Sequence, residues 1–354
     1  MTSFGASRPI THRTVREIDA KGGGADDFAA LIAGNEPVVL RGLAHDWPLV
    51  EAGRRTPHAG AQYLLSFYNG RPAAGYTARP EVGGRYFYDE TLTQLAFDRE
   101  RVQLDEYLGR ILAASGRSDT LSCDTPSYYV GSTDLDGYFP GFTSAGNDLA
   151  LTDRCFARVV KSIWIGNRTT AAAHYDMSNN IACVAVGARR FTLFPPEQVA
   201  NLYPGPLEPT PGGQVVSLVD FHDPDFARFP NFAHAVEAAQ VAELGPGDAV
   251  VYPALWWHHV EALADFNVMI NFWWNDAPAY LDSPMNTVLH GMLSLRDRPD
   301  AEKRAWAALF DYYLFGPADR PSAHLPEAAR GPLARLDETG ARRLRAMLLS
   351  RLNR

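Results

Sequence analysis

Residues 171–196, AAAHYDMSNNIACVAVGARRFTLFPP, hold two short apolar runs, IACVAV and RRFTLF, broken at Gly187-Ala188 and closed by two prolines. Short runs rich in β-branched and aromatic side chains, bounded by turn residues, predict strands. The Gly-Ala break predicts a hairpin between them. The same texture continues on either side, in VVKSIWIG (159–166), LGPGDAVVYP (244–253) and FNVMINFWW (266–274). GPGD (245–248) is a turn feeding directly into a strand. Many short strands at this spacing predict a sandwich or barrel rather than βαβ units. The expected class is mainly β with flanking helices.

The rest of the chain frames that core. Residues 1–13 read as a loose tail, DDFAALIAG (26–34) as a helix stopping at Gly34, and LDEYLGRILAA (104–114) as an amphipathic helix. EPVVLRGLAHDWPLV (36–50) gives a β-branched run, a Gly turn and a loop closed by Trp47-Pro48, while GRYFYDE (84–90) and SYYVGS (127–132) read as strands. After Pro284 the period becomes helical. Residues 300–316 place Trp306, Leu309, Phe310, Tyr313 and Leu314 on one face, and 338–354 place Leu344, Met347, Leu348 and Leu352 on another. The organisation expected is a tail (1–13), N-terminal α/β elements (14–124), a β core (125–285) and a helical C-terminal region (286–354).

Composition narrows the function classes. Of 354 residues, 46% are hydrophobic and 21% charged, ordinary for a globular chain. A net charge of −8 argues against a nucleic-acid or anionic-membrane binder. The N-terminal MTSFGASRPITHRTVREI has no apolar signal region, and no segment reads as a membrane span. Cys123, Cys155 and Cys183 fit no metal spacing and read as buried thiols of a reducing compartment. A cytoplasmic protein is expected.

Strand residues i and i+2 share a face, so His174 and Asp176 converge while Tyr175 points the other way. An imidazole nitrogen and a carboxylate oxygen suit a divalent metal, and a second histidine would complete a facial triad that leaves positions open on iron. YPALWWHHVEAL (252–263) offers two candidates. Alternation sets His258, Val260 and Ala262 on one face and His259 and Glu261 on the other. The less polar face should look inward, which selects His258 and turns His259 outward. Alone, an H-x-D pair is weak evidence, and a histidine in an aromatic strand is more often a core residue. Together the two segments point to a metal site.

The chain here resembles the JmjC/cupin-like family of Fe(II)- and 2-oxoglutarate-dependent oxygenases, and most of all its asparaginyl hydroxylases. The resemblance runs through AHYDMSNN (173–180), G-x-R-R-x-x-L-F-P-P (187–196), LYPGP (202–206), DFHDPDFARFPNF (220–232), GPGDAVVYPALWWHHVEAL (245–263) and NVMINFWWNDAP (267–278). PVVLRGLAHDWP (37–48) resembles an N-terminal element of the same relatives. It implies a double-stranded β-helix, the jelly-roll or cupin core, with iron held by His174, Asp176 and His258. It also implies that Arg189 binds the distal carboxylate of 2-oxoglutarate, where the most similar relatives have lysine. Arg189 shares parity with Phe191 and Leu193, an inward direction, and Arg190 and Thr192 should face out. Tyr129 matches a tyrosine that helps hold the same carboxylate. Asn180, counted onto the face of Asp176, matches an asparagine near the co-substrate, and Asn271 a polar residue on the closing strand. Trp273 shares its parity and would wall the pocket. Each of these could equally be satisfying the fold. The family commonly has a threonine where Ala171 stands, so one hydrogen bond to the co-substrate is absent here.

Fe(II), 2-oxoglutarate and O2 are the cofactor and co-substrates so implied, with decarboxylation to succinate coupled to hydroxylation of a C–H bond. A protein or peptide side chain of the Asn/Asp/His type is the expected substrate. The alternatives are a non-catalytic metal-binding cupin sensing a small acid or peptide, a demethylase, a hydroxylase of small molecules or RNA, and a cupin isomerase or dioxygenase needing no 2-oxo acid. The resemblance also implies a homodimer formed through the C-terminal helices, with packing on their own barrel as the alternative.

Overall fold

The structure, a computed structural model, describes residues 13–21, 27–114, 125–149, 151, 156 and 158–353. Eight strands build its centre: β1 (Val160–Gly166), β2 (Thr170–Tyr175), β3 (Asn179–Val186), β4 (Arg189–Phe194), β5 (Gln240–Leu244), β6 (Ala249–Tyr252), β7 (Trp257–Ala262) and β8 (Asn267–Trp274). They fall into two sheets, β6-β3-β8-β1 and β5-β4-β7-β2, with every neighbouring pair antiparallel. The chain passes to the other sheet at every step except from β4 to β5, which is the double-stranded β-helix. The class is mainly β with flanking helices, as the strand texture predicts.

The segments on either side of Gly187 do not form the expected hairpin. β3 is hydrogen-bonded along both edges, to β6 and β8, so it has no edge left for β4. β4 pairs instead with β5 and β7 in the facing sheet. Gly187 carries the chain across at φ +79°, and a Cβ there would run into Asn267 Oδ1 and the Phe266 carbonyl. Only glycine fits that left-handed, crowded turn. The GPGD segment makes a second crossing, from β5 to β6. The Asp248 carboxylate accepts from the backbone N–H groups of Gly245 and Gly42 and pairs with Arg41 at 2.7 Å.

N-terminal elements widen both sheets. Val38–Arg41 joins β6 antiparallel and Arg16–Asp19 joins it in parallel, while Ser127–Asp134, Ala73–Ala78 and Asp98–Val102 continue outward from β1. Arg13–Thr14 and Arg85–Tyr86 flank the other sheet. Helices Pro48–Arg55, Pro57–Leu65 and Leu104–Ala114 contribute Leu49, Leu64, Tyr107 and Leu108 to an apolar layer with Ile181, Cys183, Ile270 and Phe272. Val184, Phe191, Leu193, Val250 and Met269 fill a second layer with residues of both sheets. β3 is buried along its whole length because it meets an apolar layer on each face, which explains its unbroken apolar sequence. Cys183 is a free buried thiol whose pKa is raised by burial. Cys123 and Cys155 lie outside the described residues, as do residues 1–12 of the expected tail, whose last residue, Arg13, pairs with Gln240.

The chain divides into two compact units at Asn275/Asp276. The second carries helices Pro284–Ser294, Asp300–Phe310 and Glu338–Leu352, where the apolar period after Pro284 turns helical. Ser283 and Asp337 cap two of them, and Tyr280 donates to the Leu336 carbonyl at 2.7 Å. No helix among the described residues is long and apolar enough to cross a membrane.

Candidate metal centre and carboxylate pocket

β2 and β7 are antiparallel neighbours, and their register sets His174 directly across from His258. The ring centroids are 4.2 Å apart. Asp176 follows the last residue of β2. Its carbonyl accepts from Leu255 N–H at 2.8 Å, and its Oδ2 lies 3.6 Å from His258 Nε2. One donor atom from each of the three falls within 4.8 Å of the others. Both histidines are anchored alike: His174 Nδ1 is 2.8 Å from the Ala172 carbonyl, and His258 Nδ1 is 3.0 Å from the Trp256 carbonyl. A carbonyl can only accept, so each Nδ1 carries a proton and Nε2 is the nitrogen left to face a metal. Burial, with His174 beside it, pulls the His258 pKa down to about 4, so the imidazole is neutral as a metal ligand requires. Two imidazole nitrogens and one carboxylate converging on one point fit Fe(II).

These side chains open into a cavity of about 370 Å³ lined from both sheets. Arg189, on β4, faces it and is 2% exposed, and its Nε and Nη2 are buried without a hydrogen-bond partner among the described residues. Burial lowers its pKa, opposed by Tyr129, whose own pKa burial pushes up to about 12. A guanidinium keeps its charge even so, and a buried charge calls for an anion. Arg190 faces the other way and pairs with Glu243 at 2.8 Å.

Tyr129 stacks on Trp164 at 5.9 Å along the same wall. Trp273 meets Trp164 edge-on at 5.8 Å, with its Nε1 buried and unpartnered. Asn180 is not on the strand of Asp176. A bend at Met177-Ser178 intervenes, and Asn180 reaches the cavity from β3 in the facing sheet. Its Nδ2 donates to the Tyr252 hydroxyl and its Oδ1 accepts from Asn271 Nδ2, both at 2.6 Å. Asn271 Oδ1 is left buried with no partner. Ala171 lines the cavity opposite Val260. The structure thus brings His174, Asp176, His258, Arg189, Tyr129, Asn180, Asn271 and Trp273 to one space.

Residues 25–280 match the family described as cupin-like domain. The chain belongs to the cupin-like, JmjC-type family. Members of this family are typically iron- and 2-oxoglutarate-dependent oxygenases or demethylases, and some are non-catalytic. The chain is 30% identical over 128 residues to the lysine-specific demethylase JMJ31 of Arabidopsis thaliana, covering 34% of this chain and 23% of that protein. It is 32% identical over 150 residues to HSPB1-associated protein 1 of Homo sapiens, covering 41% and 30%. With Jumonji C domain-containing protein 5 of Drosophila melanogaster it shares 26% over 247 residues, covering 68% and 54%. The matches thus span less than two thirds of each of these relatives.

Two features of this cupin-like site are not legible in the sequence. Nothing marks Tyr252, which reads as an ordinary strand tyrosine. Its ring lies 4.9 Å from His258, its hydroxyl anchors Asn180, and burial beside Asp176 raises its pKa. His259 does turn away from the cavity, but it is not at the surface. Phe221 lies flat on its ring at 4.4 Å and it is buried. The cover comes from a segment far away in the chain, which strand alternation cannot register.

Proposed function

We propose that this cupin-like protein is an Fe(II)- and 2-oxoglutarate-dependent dioxygenase that hydroxylates a C–H bond on a protein or peptide side chain. The observation that carries the proposal is Arg189, whose buried Nε and Nη2 meet no acceptor among the described residues, in the same cavity as the two histidines and the aspartate. Its unpartnered atoms, Nε and Nη2, form one edge of the guanidinium. Arg41 in this chain uses the same edge to grip the Glu17 carboxylate, at 2.9 Å and 2.5 Å. That edge matches a carboxylate bidentately.

His174, Asp176 and His258 would hold the metal, and with three protein ligands they leave positions for co-substrate and oxygen. Bound there, iron and 2-oxoglutarate supply the oxygen activation and the two electrons that hydroxylation requires. Arg189 takes the distal carboxylate, and the Tyr129 phenol, kept protonated by burial, donates to it as well. The Tyr252–Asn180–Asn271 chain fixes the amides and presents Asn271 Oδ1 as an acceptor. Trp164, Tyr86 and Trp273 exclude water around the reacting centre. A side-chain substrate is favoured by a second space of about 120 Å³ beside His174, walled by Tyr76, Phe97 and Val216. The test is succinate production by the full chain. Succinate is expected only when Fe(II), 2-oxoglutarate and O2 are all supplied, and its absence under those conditions would contradict the proposal.

The C-terminal unit supports a homodimer. Each C-terminal helix leaves apolar side chains exposed, Leu289 and Leu293 on the first, Leu309 on the second and Leu348 and Leu352 on the third, with Leu293 at 80%, and Phe315 nearby in sequence is 79% exposed. Light scattering is expected to give twice the monomer mass for the full chain and the monomer mass for L293D/F315D. An unchanged dimer in that variant would contradict the assignment.

A further inference from the structure

The outer face of β7 carries a second set of donors. His259 and Glu261 alternate with His258 and Val260, and the 220–223 segment crosses them. Phe221 covers the His259 ring, and His222 Nε2 stands 3.5 Å from Glu261 Oε1. One donor atom each from His222, His259 and Glu261 falls within 4.8 Å of the other two. His259 is 3% exposed, and neither of its ring nitrogens has a hydrogen-bond partner among the described residues. A neutral imidazole offers one N–H and one lone pair, and leaving both unmatched in the interior is costly whichever tautomer is present. A space of about 360 Å³ adjoins the three donors.

The local charge suits a cation. Arg190 gives its close contacts to Glu243, at 2.8 Å and 3.0 Å, and stands farther, 3.8 Å, from Glu261. Two carboxylates share that one guanidinium, which leaves a net negative charge. Arg85, the other arginine near His259, is paired with Asp220 at 3.3 Å.

The geometry points to a second metal site, formed by His222, His259 and Glu261, for a borderline divalent cation such as Zn²⁺. It is separate from the first centre, on the opposite face of the same strand. An ion there ties the 220–223 segment to β7 one residue from His258, and so braces a strand that carries a ligand of the first site.

Full-length protein equilibrated with Zn²⁺, with bound metal counted by elemental analysis, tests the site. H222A removes an exposed side chain and should hold one equivalent fewer per chain than the wild type. H259F keeps an aromatic ring beneath Phe221, has no donor atom, and should lose the same equivalent. H234A, which removes an exposed histidine that is not one of the three donors, should bind as much as the wild type. Equal zinc in wild type and H222A, retention of the equivalent in H259F, or an equal loss in H234A would each overturn the assignment.

Discussion

Asp176→Ala is expected to give a folded protein that no longer holds Fe(II) tightly and no longer turns over. The backbone role of Asp176, its carbonyl accepting from Leu255, survives the substitution. Among the described residues, the one basic nitrogen within 4 Å of its carboxylate is Nε2 of the neutral His258, at 3.6 Å. The fold therefore loses little, while the metal loses its only anionic ligand. Structural zinc sites bind with about 10–16 kcal/mol over about four ligands, so one ligand carries roughly 3–4 kcal/mol, or about 10²- to 10³-fold in affinity. Calorimetric titration of Fe(II) under anaerobic conditions, beside a thermal melt, separates the two effects. Loss of melting temperature with unchanged metal affinity would contradict the assignment.

Arg189→Met should move stability and binding in opposite directions. The wild type buries a guanidinium whose Nε and Nη2 have no protein acceptor among the described residues. Methionine fills similar space and removes the unpaired charge. Replacing buried charge by packed apolar side chains is often neutral or stabilising by about 1–4 kcal/mol. Urea unfolding should therefore show R189M at least as stable as the wild type. Its affinity for 2-oxoglutarate should fall roughly thirtyfold or more, because losing one partner of a buried charge pair costs about 2–5 kcal/mol. R189K keeps the charge but not the two-pronged edge, and should lie between. An arginine serving only the fold would give the reverse, with R189M unstable and its binding of 2-oxoglutarate intact.

Periodicity made the class legible and offered His174, Asp176 and His258 as candidates, because facing is a local property of a strand; the resemblance to cupin-like relatives is what joined them into a triad. Parity turned His258 and Arg189 inward and His259 and Arg190 outward without reference to any other segment. What it could not settle was pairing between strands. Gly187 carries a turn signal either way, and only the occupied edges of β3 show that the chain crosses to the other sheet rather than folding back. The position of Asn180 failed for the same reason, since parity was counted through the bend at Met177-Ser178 as though one strand continued. Phe221 covering His259, and Tyr252 anchoring Asn180, depend on contacts between residues distant in sequence, which spacing does not encode.

The central claim is that one cavity holds both a metal at His174, Asp176 and His258 and a 2-oxo acid carboxylate at Arg189. Its most direct test is an anaerobic absorption spectrum of the full chain with Fe(II), before and after 2-oxoglutarate. A visible charge-transfer band is expected on adding the co-substrate, absent in D176A and, at the same concentration, strongly reduced in R189M. A wild-type protein that binds Fe(II) but gives no band, or a D176A protein that gives the same band, would contradict the account.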